Sequence, residues 1–179
     1  MSSNTKHSLI VLTGFMGSGK STIGRALASL LNWNFVDLDC EIEKTEGRRI
    51  SEIFSQDGEA HFREIEANVL RSLLAELQSP AVLSSGGGTY VQPTNADLLR
   101  AARATVVFLE VPIETMLQRC CSEDADPNRP LAGDREAFLY LYEKRLPLYR
   151  TANLTVVTDN KESEFVAQEI AERLGLVEG

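Results

Sequence analysis

Residues 9–22 read Leu9-Ile10-Val11-Leu12-Thr13-Gly14-Phe15-Met16-Gly17-Ser18-Gly19-Lys20-Ser21-Thr22. The stretch joins an apolar, β-branched run to a segment, Gly14–Ser21, that matches G-x-x-x-x-G-K-[ST]. A short apolar run bounded by a glycine loop fits a buried parallel strand. Glycines let the backbone turn back and aim several N–H groups at one point, and the helix that follows adds its positive end. The residues therefore predict a phosphate cradle for ATP, with Gly17, Ser18, Gly19, Lys20, Ser21 and Thr22 around the anion. Lys20 is the compact cation that reaches the β/γ-phosphates. Ser21 offers Mg2+ the hard oxygen it prefers. A chance match in a chain of this length is of order one in a few hundred.

Outward from the cradle, Ile23, Ala26, Leu27, Leu30 and Leu31 form one apolar stripe on a helix from about Lys20 to Leu31. Further strands are expected at 35–39, 81–84, 105–110 and 154–158. Helical patterns fill 51–78, broken near Asp57-Gly58, and about 95–102, 113–121, 134–150 and 161–174. Alternating strands and helices with near-continuous apolar strands predict an α/β fold: three α/β/α layers around a central five-stranded parallel sheet. The 179 residues fit a single domain. Residues 122–135 are polar, with two prolines and two arginines, and read as a functional loop of the lid kind.

Composition narrows the function. The net charge of −8 argues against nucleic-acid and acidic-membrane partners, which call for a basic surface. Cys40, Cys120 and Cys121 lack zinc or disulfide spacing, and His7 and His61 are too isolated for a metal cluster. A polar start and an apolar run too short for a signal core or a membrane span lead us to expect a cytoplasmic protein.

Candidate chemistry gathers where strands end. Phe35-Val36-Asp37-Leu38-Asp39 places two aspartates on one side of a strand end. One would serve Mg2+ through water and the other an acceptor hydroxyl, as an ordinary carboxylate of pKa ~4 whose main task is orientation. Arg63 and Glu66 can meet on one helix face, an arrangement that a surface ion pair would also satisfy. Gly86-Gly87-Gly88 follows the third strand and permits close approach of a small ligand. Arg145 stands near a helix end before Pro147, either as a cation for the helix dipole or as a carboxylate-binding fork.

Six segments together resemble shikimate kinases: GFMGSGKST at 14–22, DLD at 37–39, FRxxE at 62–66, GGG at 86–88, NRPL at 128–131 and YxxRxPLY at 142–149. They occur in the family's order and spread over most of the chain. The resemblance implies a P-loop NTPase fold of the nucleoside-monophosphate-kinase type. It implies transfer of the ATP γ-phosphate to the 3-hydroxyl of shikimate, on the route to chorismate and the aromatic amino acids. It further implies that Asp39 binds the acceptor hydroxyls and is the candidate base, and that Arg63 and Arg145 hold the carboxylate. Glu66 braces Arg63, and Gly86, Gly87 and Gly88 line the acceptor site. Ser21 ligates Mg2+ directly and Asp37 acts on it at one remove. Lys20 and Arg129 neutralise the transferring phosphoryl group, and Arg119 lies on the adenine side. An acceptor-binding helical segment over about 40–78, a lid over about 119–135 and a monomer are expected. The family's RPLLAG is one leucine shorter here, at Arg129-Pro130-Leu131-Ala132-Gly133, and the stretch near Thr158–Lys161 carries no transferable residue.

Other readings remain at this stage. One is a kinase of a gluconate-like metabolite or of a nucleoside monophosphate. Another is a GTPase-type switch, although Asn160-Lys161-Glu162-Ser163 misses the final Asp of N-K-x-D. The third is a binding protein without turnover, against which Lys20, Ser21 and Asp39 all weigh.

Overall fold

The computed structural model describes residues 9–78, 80–120 and 135–177. Five strands, β1 (Leu9–Thr13), β2 (Asn34–Asp37), β3 (Ala81–Ser84), β4 (Thr105–Glu110) and β5 (Leu154–Val157), form one sheet in the order β2-β3-β1-β4-β5. Every neighbouring pair is parallel, as the apolar strands predicted. Between them run α1 (Lys20–Leu31), α2 (Leu38–Glu46), α3 (Ile50–Glu76), α4 (Pro93–Ala101), α5 (Ile113–Cys120) and α6 (Arg135–Tyr149). The last described helix is α7 (Ser163–Arg173).

Strand alternation divides the core into two faces. Leu9 and Val11 of β1 point to one side, where they meet Leu38, Ile42, Ile53, Phe62 and Leu70 of α2 and α3. Ile10 and Leu12 point to the other, against Ile23 and Leu27 of α1 and Val166 and Ile170 of α7. A third cluster, with Phe15, Phe108, Phe138, Tyr142 and Tyr149, fills the space beneath the cradle. The chain leaves β1 for the far edge, returns through β3 and then builds outward through β4. The sheet therefore reverses direction at β1, where α/β folds open a crevice at the carboxyl ends of their strands.

Three local expectations are corrected. β2 stops at Asp37 rather than Asp39, because the Asp37 carboxylate turns back as the N-cap of α2. Its Oδ1 accepts from the backbone N–H of Asp39 at 3.1 Å and of Cys40 at 3.4 Å, which ends the strand and starts the helix. Asp39 thus reaches the crevice from the first turn of α2, not by strand alternation. The break expected near Asp57-Gly58 is present: Gly58 leaves helical conformation, with φ 82° and ψ 172°, and divides α3 into two helical segments. Arg145 does not stand at a helix end: α6 continues through Pro147 to Tyr149. β5 ends one residue early, at Val157. Of the lid expected over about 119–135, residues 121–134, with Cys121, Arg129 and the Arg129–Gly133 motif, lie outside the described residues.

Where α1 crosses the sheet, Gly24 faces the ring of Phe35. A β-carbon there would stand 2.6 Å from Phe35 Cε2. Overpacking of this kind costs ~1–3 kcal/mol, more than the few tenths that helix propensity returns for valine. Gly24→Val is expected to lower the unfolding free energy by that amount, seen as a lower denaturation midpoint at an unchanged m-value in a urea titration.

Candidate active site

Gly17 and Gly19 bend the loop after β1 through positive φ, 76° and 86°. A side chain would be strained at either position. Gly19 caps α1, and the first turn of that helix carries no acidic residue. With no acidic side chain in that turn, the positive end of the helix is left undiluted. Lys20 folds over the loop: its Nζ donates to the carbonyls of Gly14 and Phe15, both at 2.9 Å, and to Ser18 Oγ at 3.3 Å. Beside the loop opens a cleft of about 860 Å3, lined among others by Gly17, Lys20, Ser21, Thr22, Asp39, Gly87 and Arg119. Arg119 donates to the Gly17 carbonyl at 3.1 Å.

Ser21 Oγ donates to Asp37 Oδ2 at 2.6 Å and lies 3.2 Å from Ser84 Oγ. These are hard oxygens at the mouth of a phosphate cradle. Among the described residues no group of three or more His, Cys, Asp or Glu could enclose a metal. That donor set suits Mg2+, which keeps several waters and relies on one or two protein groups and the substrate's phosphates. Ser84 was legible in the sequence only as the end of a strand. Its place beside β1 brings it to Ser21.

Across the cleft, the glycine run after β3 is the meeting point. Gly87 packs on the cradle, its β-position 3.6 Å from Gly14 O and Met16 N. A β-carbon on Gly86 would stand 2.8 Å from Asp39 Oδ1, and one on Gly88 only 2.4 Å from Arg63 Nη2. Arg145 Nη1 reaches the Gly87 carbonyl at 3.4 Å, and its guanidinium lies 5.7 Å from the Phe15 ring centroid. Asp39, Arg63 and Arg145, far apart in the chain, therefore converge on Gly86–Gly88. None of the three glycines needs a positive φ. Their role is to leave room, not to bend.

Each converging group has its own supports. Arg63 Nη1 pairs with Glu66 Oε2 and Nη2 with the exposed Glu59, both at 3.0 Å. Glu66 is only 1% exposed, so this is no ordinary surface ion pair. It also accepts from Thr89 Oγ1 at 2.7 Å and Asn95 Nδ2 at 3.2 Å, two partners that sequence reasoning missed. Tyr149, missed as well, donates its hydroxyl to the Gly87 carbonyl while stacking on Phe108. Burial pushes its phenol up to about 12, so it remains a donor.

Asp39 is not the ordinary carboxylate expected. Burial first, then the neighbouring Asp37 charge, push it up from 3.8 to about 6, against the opposing pull of Lys20. A carboxylate so placed takes up a proton more readily than one in water.

This arrangement defines a class: a P-loop phosphotransferase acting on an alcohol group. A family model described as shikimate kinase matches residues 16–175. The shikimate kinase of Persephonella marina is 38% identical over 165 residues, covering 92% of this chain and 98% of its own length. That of Moorella thermoacetica is 42% identical over 167 residues, covering 92% and 93%. Among solved structures, the Acinetobacter baumannii shikimate kinase in complex with shikimate superposes with a TM-score of 0.83 at 40% identity, covering 93% of this chain and 92% of its own. A sugar kinase from Janibacter shares the fold alone, at 18% identity and a TM-score of 0.67. The chain belongs to the shikimate kinase family.

The raised Asp39 has a consequence for stability. Below its ordinary value the group is protonated in folded and unfolded states alike and costs nothing. As pH rises toward 6 the unfolded state ionises first, and folding is progressively destabilised. Above that range the penalty is constant. Asp39→Asn is therefore expected to stabilise the metal- and nucleotide-free protein by about 1–3 kcal/mol at pH ~8 and hardly at all near pH ~4, read by denaturant titration at the two pH values.

Proposed function

We propose that the chain transfers the γ-phosphoryl group of ATP to the 3-hydroxyl of shikimate, with phosphate groups at the cradle and the acid on the glycine run. The observation that carries this reading is the convergence of Asp39, Arg63 and Arg145 on Gly86–Gly88, a run that itself touches the cradle through Gly87. Two guanidinium groups and a carboxylate around an uncluttered backbone suit a small polyol bearing one carboxylate.

In this reading Arg63 and Arg145 grip the shikimate carboxylate and thereby set the ring's orientation. Asp39 accepts a hydrogen bond from the 3-hydroxyl and takes its proton as that oxygen bonds to the γ-phosphorus. The bond from phosphorus to the bridging β,γ-oxygen breaks, and ADP leaves. Because the transition state is loose, the proton leaves late, and alignment matters more than basicity. The N–H groups of Gly17–Thr22 and the ammonium of Lys20 balance charge on the phosphates. Ser21 would hold Mg2+, with Asp37 and Ser84 steadying its hydroxyl and waters. When bound, Mg2+ supplies charge neutralisation on the phosphates. Arg119 fits the nucleotide side of the cleft. Arg129 is the further cation that the resemblance assigns to the phosphoryl group. A single domain acting as a monomer, with α2 and α3 serving the acceptor, completes the proposal.

A coupled ADP-release assay with shikimate, quinate and gluconate tests it: turnover is expected with shikimate far above the other two, and equal rates would refute the assignment. Arg145→Ala is expected to raise the KM for shikimate ~10–100-fold, the worth of a charge-assisted hydrogen bond, with the KM for ATP unchanged. Asp39→Ala is expected to lower kcat ~10²–10⁴-fold while ATP binding, followed by calorimetry, survives.

A further inference from the structure

Glu66 is a buried carboxylate with three separate donors, two of which belong to neither α3 nor any role so far described. Thr89 stands at the end of the glycine run, where its N–H closes a turn on the Gly86 carbonyl at 3.1 Å. Its Oγ1 donates to Glu66 Oε1 at 2.7 Å. Asn95, in the first turns of α4 and 1% exposed, donates from Nδ2 to Glu66 Oε2 at 3.2 Å and to the Thr89 carbonyl at 3.2 Å. The Thr89 carbonyl can only accept, so the amide has only one sensible orientation. That orientation leaves Asn95 Oδ1 buried without a hydrogen-bond partner. An orphaned acceptor costs free energy. A core built for stability alone would have filled the place with apolar atoms.

We infer that Thr89 and Asn95 are positioning residues for the acceptor's carboxylate, fixing the Arg63 guanidinium through Glu66. The inference rests on the reading that Arg63 grips the substrate's carboxylate. The chain of contacts is short. Thr89 and Asn95 satisfy both oxygens of Glu66 within the core. The Oε2 of Glu66 then holds Arg63 Nη1 at 3.0 Å and so sets the plane of the guanidinium fork. Arg63 in turn lies flush against Gly88. A fork held in this way loses less freedom when it binds a carboxylate than one that swings on a flexible stem. Because Thr89 also belongs to the glycine run, the backbone that receives the substrate and the cation that orients it are tied to one another.

The test uses the full chain and shikimate kinetics. Thr89→Val keeps the shape and removes the hydroxyl. It is expected to raise the KM for shikimate about tenfold and leave the KM for ATP at the wild-type value. Thr89→Ser restores the donor and is expected to return the KM for shikimate to within about threefold of wild type. Asn95→Asp, near-isosteric, replaces a donor by a like charge beside Glu66 and is expected to raise the KM for shikimate at least as much. A wild-type KM for shikimate in folded Thr89→Val or Asn95→Asp would overturn the inference. So would equal increases in both KM values, or a serine variant as impaired as the valine. Wild-type enzyme that fails to phosphorylate shikimate would instead sink the functional reading, which separates the two failures.

Discussion

At Gly88 the guanidinium of Arg63 occupies the space where a β-carbon would stand, and at Gly86 the carboxylate of Asp39 does the same. Between them Gly87 lies beside the phosphate loop, where a β-carbon would stand 3.6 Å from Gly14 O. This close approach of side chains and loop to bare backbone is the constraint on which the rest of the site depends. It brings a carboxylate, a phosphate-binding cradle and two cations to one edge of the sheet. The parallel sheet makes it available, because the carboxyl ends of β1, β2 and β3 are adjacent and all point the same way.

The electrostatics follow from that crowding. The chain is acidic overall, yet Lys20 and Arg119 line the cleft, and Arg63 and Arg145 reach the glycine run beside it. Glu66 and Asp39 are both withdrawn from water and respond differently. Glu66 has an arginine, a hydroxyl and an amide turned toward it. Asp39 faces Asp37 and a glycine, with Lys20 as its counterweight, and is pushed toward neutrality. Two withdrawn carboxylates thus stand in different surroundings, one held by three donors and the other crowded by a like charge.

Much of this was legible in the sequence because glycine and periodicity speak locally. The loop at Gly14–Ser21, the limits of α1 and three of the five strands follow from residues within one turn or one strand of each other. The family resemblance added the partners of Asp39, Arg63 and Arg145. What was not legible depends on contacts between distant segments. Asp37 looked like a strand residue because nothing local reveals that its carboxylate turns onto the N–H groups of α2. The pair Arg63 and Glu66 looked like a surface pair because the covering residues, Thr89 and Asn95, come from beyond the third strand. The altered acidity of Asp39 is likewise a property of its enclosure, not of its neighbours in the chain.

Tyr149 belongs to two systems at once. Its ring stacks on Phe108 within the aromatic cluster beneath the cradle, and its hydroxyl grips the Gly87 carbonyl. A change of ring size at Phe108 would be transmitted through Tyr149 to the Gly87 carbonyl, so that this part of the interior shapes the glycine run as well as holding the fold together.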